Sequence, residues 1–255
     1  MNTQLHGKIA LVTGSNTGIG RAIAVLLAAN GAKVGVTYLN GKAQGEETVE
    51  IIRQAGGQAV LFQADVTDLE QIDKLVSGVE EAFGGTVDIL VNNAGHLVQR
   101  CPNSEMTEEL YDKVMNVNLK STVFMCKRVL PGMKATGAGR IVNMSSVAAH
   151  HGGGPGSSIY AASKAAVGSY SKGLAKEVAG DGITVNVVAP GFIGQTAFHD
   201  TFTSDEARKA TVSGIPLKRE GTPEDVAGAV LYLVSDLASY LTGETIEING
   251  GMLMR

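Results

Sequence analysis

The chain has 255 residues, 44% of them hydrophobic, and a formal net charge of −4. This length fits one large α/β domain or two small ones, with enough apolar residues for a substantial core. No apolar run reaches the ~18 residues of a membrane-spanning helix, and the first residues lack the charged-then-apolar build of a signal peptide. Lys and Arg are dispersed, Trp is absent and 5% of residues are aromatic. We therefore expect neither a membrane protein nor a nucleic-acid-binding protein.

The cysteine and histidine residues give little reason to expect a disulfide or a metal. Cys101 and Cys126 are the two cysteines, and neither has a nearby partner in the sequence. Two cysteines in a chain of this length are typical of a reducing compartment, so we predict a cytoplasmic protein. The pair His150-His151 is adjacent rather than spaced by one helical turn, and no metal site is predicted.

The first part of the chain predicts a strand, a turn, a helix and a second strand. Residues 8–12 and 33–38 are short apolar runs rich in β-branched residues, and residues 21–28 have a helical period. The turn that joins the first strand to the helix has the sequence Thr13-Gly14-Ser15-Asn16-Thr17-Gly18-Ile19-Gly20. Glycines there permit a tight bend and let a pyrophosphate approach the amides of the helix N-terminus. The spacing differs from G-x-G-x-x-G, so the turn indicates a nucleotide only through its strand–turn–helix context.

The same alternation continues to the end of the chain. Helices are predicted over 42–54, 69–83, 107–133, 157 to about 179 and 223 to about 234, and further strands over 58–63, 87–91, 141–144, 183–188 and 241–248. Strands separated by helices imply a parallel sheet with right-handed crossovers. The predicted fold is therefore a single-domain Rossmann fold, α/β, with a doubly wound parallel sheet of seven strands and helices on both faces.

Polar or turn-forming residues follow several predicted strands. These residues are Gly14, Asp65, Asn92, Ser146 and Pro190. Ligands of such sheets bind beyond the carboxyl ends of the strands, so we expect a site at this edge. The segment 192–215 loses the pattern, because Gly, Thr and Ser interrupt it. We interpret it as a lid over the site.

Tyr160 and Lys164 lie four residues apart in a predicted helix and hence on one face. A neighbouring ammonium group favours the phenolate and lowers the pKa of a tyrosine, which would suit Tyr160 to proton transfer. On spacing alone, the alternative is that the two side chains share a solvated helix face.

These motifs together resemble the short-chain dehydrogenase/reductase family over nearly the whole chain. The matching motifs are T-G-x-x-x-G-x-G at 13–20, N-N-A-G at 92–95, Asn118, Ser146, Y-x-x-x-K at 160–164 and P-G at 190–191. The resemblance implies an NAD(P)(H)-dependent oxidoreductase that transfers a hydride between nicotinamide and a carbonyl or secondary alcohol.

The resemblance also implies roles for four catalytic residues. Tyr160 would be the general acid/base, and Lys164 would lower its pKa and hold the ribose of the nicotinamide. Ser146 would orient the substrate carbonyl, with Ser145 as the alternative. Asn118 would kink its helix and hold a water that links Lys164 to solvent, with Asn116 as the alternative.

A larger set of residues is implied to bind the cofactor. They are Gly14, Asn16, Thr17, Gly18, Ile19, Gly20, Tyr38, Asn40, Asp65, Val66, Asn92, Ala94, Gly95, Tyr160, Lys164, Pro190, Gly191, Ile193 and Thr196. Among relatives, an acid at the end of the second strand selects NAD(H). Here Tyr38 is followed by Leu39-Asn40-Gly41-Lys42, so NADP(H) is favoured, with NAD(H) as the alternative.

The substrate is less closely defined. Residues 186–193 and 241–251 look most like 3-oxoacyl-acyl-carrier-protein reductases, and a sugar or other small-alcohol dehydrogenase is the alternative. A dinucleotide-binding regulator without catalysis is a remote alternative. The positions that dock an acidic carrier in those reductases are Gly137 and Asp181 here, which argues against a carrier-protein partner. Lys134, Arg140 and Lys176 are the alternative docking residues. The family also implies a homotetramer. His150 or His151 is a candidate for substrate contact, with a solvated glycine-rich loop as the alternative, and residues 252–254 either line a neighbouring subunit's pocket or belong to the core.

Overall fold

The computed structural model describes residues 3–196, 201 and 204–254. The strands are β1 (Ile9–Val12), β2 (Lys33–Tyr38), β3 (Gln58–Gln63), β4 (Ile89–Asn92), β5 (Gly139–Met144), β6 (Ile183–Pro190) and β7 (Thr245–Ile248). The described helices are α1 (Gly18–Ala29), α2 (Lys42–Gln54), α3 (Leu69–Phe83), α4 (Glu108–Met115), α5 (Ser121–Thr136), α6 (Ala148–His151), α7 (Ser158–Val178), α8 (Asp205–Gly214) and α9 (Pro223–Val234).

The seven strands form one parallel sheet in the order β3-β2-β1-β4-β5-β6-β7. Alternate side chains of each strand enter two separate cores, as expected for a sheet buried on both faces. Ala10 and Val12 pack with α1, α2 and α9, whereas Ile9 and Leu11 pack with α3, α5 and α7. The prediction of a doubly wound Rossmann fold is confirmed.

The helix predicted over 107–133 is interrupted at its centre. Residues Asn116–Lys120 form a π-turn between α4 and α5. The Asn118 side chain donates to Val114 O at 2.8 Å, so a carbonyl that would accept within a regular α-helix is bonded to a side chain. The interruption of the helix at Asn118 is thus a π-turn, and the kink implied there stays a prediction.

The last strand is shorter than predicted. It pairs with β6 only from Thr245 onward. Gly243 has a φ of +77°, and its amide donates to Val185 O at 2.7 Å. Thr242 Oγ1 accepts from Val185 N at 3.1 Å. These turn contacts replace the hydrogen bonds to β6 that residues 241–244 would make in a longer strand.

None of the described helices is both long and apolar enough to span a bilayer. Of the predicted lid, residues 197–200 and 202–203 lie outside the described part of the chain. The remainder contains α8, which begins at Asp205 after the N-cap Ser204.

Candidate active site

The glycine-rich turn opens at the N-terminus of α1. Thr17 is the N-cap of α1 and makes no side-chain capping hydrogen bond, and Gly18 has a φ of +53°. A Cβ at Gly20 would lie 2.6 Å from Asn93 Nδ2, so the close approach of these chains requires glycine. Thr17 to Gly20 all line the main cleft. The uncapped first turn at an open cleft fits the pyrophosphate of a dinucleotide.

The part of this turn predicted to face adenosine is hydrogen-bonded to the segment that follows β2. Asn16 Nδ2 donates to Asn40 O at 3.0 Å, which places these two predicted cofactor residues together. Arg21 donates to Asn16 O at 2.9 Å and pairs with Glu47 at 2.7 Å. Arg21 was not among the predicted site residues, and only the folded chain shows that it holds the turn against α2.

Two predicted cofactor residues have structural partners of their own. Asn92 is buried, and its Nδ2 donates to Asn143 Oδ1 at 2.9 Å and to Cys126 Sγ at 3.3 Å. Its side chain therefore turns away from the predicted ribose site, because residues at the end of a strand alternate between faces. Asp65 Oδ1 accepts from Thr67 N at 2.8 Å and from Thr67 Oγ1 at 2.7 Å. Its contact with adenine stays a prediction.

Many of the predicted site residues line one cleft of about 730 Å³ at the carboxyl edge of the sheet. These are Thr17, Gly18, Ile19, Gly20, Gly95, Ser146, Tyr160, Lys164, Pro190, Gly191, Ile193 and Thr196. Gly14, Ala94, Tyr38 and Val66 are not in contact with this cleft. Asn93 lines it, whereas the sequence pattern predicts its neighbour Asn92.

Tyr160 and Lys164 lie one turn apart at the start of α7, and both line the cleft. Lys164 is 3% exposed, and its Nζ is 5.8 Å from the centroid of the Tyr160 ring. The Nζ donates to Met144 O at 2.9 Å, at the end of β5. The pair therefore belongs to the site and not to a solvated helix face.

The two adjacent serines after β5 have different functions in the fold. Ser145 Oγ donates to Lys164 O at 2.8 Å and is buried, so it fixes the backbone of α7. Ser146 is hydrogen-bonded to the Tyr160 hydroxyl and accepts from Ala148 N at 3.2 Å. The geometry favours Ser146 over Ser145 as the residue that meets a substrate.

Asn118 is fully buried beneath the segment that follows β4. Its Oδ1 accepts from His96 N at 3.1 Å, and its Nδ2 donates to His96 O at 2.8 Å. A Cβ at Gly95 would lie 2.7 Å from both Asn118 Oδ1 and Lys164 Nζ. Asn118 therefore holds the 95–96 segment against Lys164, and its link to a water stays a prediction.

Burial sets the protonation of the two central groups. Burial raises the pKa of Tyr160 to about 12, opposed by the hydrogen bond from Ser146. Burial lowers the pKa of Lys164 to about 8. The sequence predicted that Lys164 lowers the pKa of Tyr160, but burial raises this pKa, and the group that opposes the rise is Ser146 rather than Lys164. Tyr160 is therefore protonated at neutral pH.

The two neighbouring histidines separate. His150 Nε2 pairs with Glu247 at 2.9 Å, whereas His151 lines the cleft, as does Met252. Within the described part of the chain, no three His, Cys, Asp or Glu residues cluster as metal ligands would.

A dinucleotide-binding turn that faces a Tyr–Ser–Lys group across one cleft defines an NAD(P)-dependent oxidoreductase acting on C=O and CH–OH groups. A family profile described as Enoyl-(Acyl carrier protein) reductase matches residues 14–253. The chain belongs to the short-chain dehydrogenase/reductase family.

The relatives match the whole length of the chain. A 3-oxoacyl-acyl-carrier-protein reductase of Staphylococcus aureus is 41% identical over 251 residues, which cover 97% of this chain and 98% of the relative. The enzyme of that name from Vibrio cholerae is 44% identical over 254 residues, 98% of this chain and 99% of the relative.

Two solved structures have the same fold. A short-chain alcohol dehydrogenase from Sinorhizobium meliloti superposes with a TM-score of 0.92 at 35% identity, covering 98% of each chain. An NADH-dependent reductase responsible for alginate metabolism superposes with a TM-score of 0.90 at 34% identity, covering all of both chains.

Proposed function

We propose that the protein reduces the 3-oxo group of a 3-oxoacyl thioester, with Tyr160 as the general acid. The hydrogen bond between Ser146 and Tyr160 in the cleft carries this proposal, because it puts two hydroxyl groups where one carbonyl oxygen can meet both. The 41% and 44% identical relatives bear the name 3-oxoacyl-acyl-carrier-protein reductase, which supports the thioester as substrate.

When bound, the nicotinamide supplies the hydride. Ser146 donates a hydrogen bond to the carbonyl oxygen and orients it. Tyr160 donates its phenol proton to the same oxygen as negative charge develops there. Lys164 lies beside the Tyr160 ring and stabilises the phenolate that remains, and its Nζ also faces the cleft where the ribose hydroxyls would bind. Asn118 keeps the 95–96 segment in place under both groups.

NADP(H) is the cofactor we propose, with NAD(H) as the alternative. The end of β2 carries Asn40 and the exposed Lys42, and no acid directly follows the strand. The next two acids along the chain are each paired with a base, Glu46 with Lys42 at 3.5 Å and Glu47 with Arg21 at 2.7 Å. This environment accepts a 2′-phosphate better than an acid beside the ribose would.

Docking of an acidic carrier protein finds little support on this surface. Asp181 forms an ion pair with Lys134 at 3.0 Å. This pair offsets the positive charge with which Lys134 would attract an acidic carrier protein. Arg140 donates to its neighbour Gly139 O at 2.9 Å. We therefore propose that small thioesters are reduced without a docked carrier. A cytoplasmic homotetramer is proposed from the family.

A sugar or other small-alcohol dehydrogenase is the second candidate. The observation that favours it is the fold similarity to the reductase of alginate metabolism, with a TM-score of 0.90. The cofactor in the name of that reductase is NADH, so this candidate would use NADH rather than the NADPH proposed above.

A substrate panel with NADPH and NADH in parallel tests these proposals. It contains acetoacetyl thioesters, the corresponding 2-enoyl thioester, simple ketones and sugars. We expect NADPH oxidation with the acetoacetyl thioester and none with the enoyl thioester. Turnover of sugars alone, by reduction with NADPH or NADH or by oxidation with NADP⁺ or NAD⁺, would favour the second candidate. Binding of NADPH in a thermal-shift assay without turnover of any compound would point to a dinucleotide-binding regulator.

A further inference from the structure

The side of the cleft remote from the glycine-rich turn is formed by two loops that are tied together. Cys101 N donates to Gly156 O at 2.9 Å, and Arg100 Nη1 donates to Pro155 O at 2.9 Å. A Cβ at Gly156 would lie 2.9 Å from Cys101 N, so the loops are in close contact. We call residues 96–101 and 151–157 the outer wall of the cleft.

The polar side chains of the outer wall are positioned as hydrogen-bond donors. Arg100 lines the cleft with a guanidinium group that has five N–H donors and no acceptor. One donor is bonded to Pro155 O, and no carboxylate among the described residues pairs with Arg100. His151 Nδ1 accepts from Gly153 N at 3.2 Å, so Nε2 carries the proton even in the neutral ring. His151 therefore donates in either protonation state.

The charged side chains that the structure describes along the cleft are all cationic. Within the described ranges, no Asp or Glu lines it, although Asp and Glu outnumber Lys and Arg in the chain by 25 to 21. Lys164 and Arg100 are the cationic residues that line it, at the inner and outer ends. A cleft with low-dielectric walls and one sign of charge concentrates ligands of the opposite sign.

Buried apolar side chains also line the cleft. They are Leu97, which belongs to the outer wall, and Phe192. A bound molecule would thus meet the Tyr160 hydroxyl, the apolar surface of Leu97 and Phe192, and the Arg100 and His151 donors within one cleft.

We propose that the outer wall binds an anionic group of the substrate, with Arg100 as its main ligand and His151 as a second donor. This inference rests on the proposed reductase function and adds the substrate class. The anion has carboxylate or phosphate chemistry, for which the planar guanidinium is suited through paired hydrogen bonds. Its source is either a carboxylate at the end of the acyl chain or the phosphate of the thioester's carrier arm.

Three thioesters distinguish the two sources. The first is acetoacetyl-N-acetylcysteamine, which carries no charge. The second is acetoacetyl-CoA, which adds the phosphates of the carrier arm. The third is the N-acetylcysteamine thioester of 3-oxoadipate, which has a terminal carboxylate and no phosphate. kcat and KM are measured for each with wild type, Arg100→Gln and Arg140→Gln. Arg140 is the matched control, because it also donates to one backbone carbonyl, Gly139 O at 2.9 Å, and is not among the described residues that line the cleft.

We expect Arg100→Gln to lower kcat/KM about tenfold or more for one of the charged thioesters, mainly through KM, and less than about twofold for the neutral thioester. A loss with acetoacetyl-CoA identifies the phosphate, and a loss with the oxoadipyl thioester identifies the carboxylate. Arg100→Lys should restore part of the lost affinity. Equal losses for all three thioesters, or no loss, would overturn the inference.

A readout without turnover keeps this test separate from the proposed function. Stabilisation of the NADPH-bound protein against heat is compared for glutarate, inorganic phosphate and dimethyl glutarate. If no thioester is reduced but an anion stabilises wild type and not Arg100→Gln, the thioester proposal fails and the anion site stands. The anion site is refuted if glutarate and phosphate stabilise wild type no more than dimethyl glutarate does, and if the same holds for Arg100→Gln.

Discussion

The floor and the outer wall of the cleft are built in different ways. The floor consists of Asn118, Ser146, Tyr160 and Lys164, which lie in the π-turn, after β5 and on α7. Asn118 and Lys164 are 0% and 3% exposed. The outer wall contains Arg100, on the loop that follows β4, and His151, the last residue of α6, and both are exposed.

This contrast separates chemistry from recognition. Floor residues are bonded to the sheet edge, as with Lys164 Nζ to Met144 O at 2.9 Å, so their positions are set by the fold. The wall is joined by a few loop hydrogen bonds and can change in sequence without disturbing the sheet. We therefore expect floor substitutions to reduce turnover for every substrate and wall substitutions to alter substrate preference.

Tyr160→Phe should give the largest effect. Loss of the proton donor is expected to reduce kcat about 10²–10⁴-fold, with little change in the KM of the dinucleotide. Tyr240→Phe is the matched control, because Tyr240 is fully exposed at 102%. Full activity of Tyr160→Phe would remove Tyr160 from the mechanism.

Gly95→Ala tests the floor without deleting a functional group. The new Cβ would lie 2.7 Å from both Asn118 Oδ1 and Lys164 Nζ, so one of them must move. We expect kcat to fall about 10²-fold and the free energy of unfolding to fall by about 1–3 kcal/mol. In the wall, Gly154→Ala places its Cβ at an ordinary 3.5 Å from Arg100 Nη1 and should change kcat by less than about twofold. Similar losses in both variants would contradict the division between floor and wall.

Lys164→Met should alter the pH dependence of stability. Burial lowers the pKa of folded Lys164 to about 8, below its ordinary value of 10.5. Between these values the unfolded chain binds more protons, so the stability of wild type should rise with pH. Relative to Lys164→Met, the gain from pH 8 to pH 10.5 is on the order of 3 kcal/mol at most. Urea unfolding of both proteins across this range measures it, and parallel curves would show that Lys164 titrates normally.

Lys42→Ala should have the smallest effect. Lys42 is exposed and forms an ion pair with Glu46, so water would screen its interaction with a 2′-phosphate. We expect the KM of NADPH to rise about two- to fivefold, with that of NADH unchanged. Equal changes for both cofactors would place the 2′-phosphate elsewhere.

Much of the floor could be predicted because its residues follow from local rules. The spacing of Tyr160 and Lys164 put them on one helix face, and the strand pattern put Ser146 at the sheet edge. Asn92 and Asp65 illustrate the limit. Their positions at strand ends were correct, but neighbours distant in sequence, such as Cys126 and Asn143, decide where the Asn92 amide points.

The sequence by itself determined the order of strands and helices along the chain, the glycine-rich turn and the position of Tyr160 and Lys164 on one helix face, because these depend on periodicity and on short motifs. Only the tertiary structure decided that Ser146 rather than Ser145 meets Tyr160, that burial keeps Tyr160 protonated, and that Arg100 and His151 share one wall. These features depend on burial and on contacts between segments far apart in the chain, and no local pattern records them.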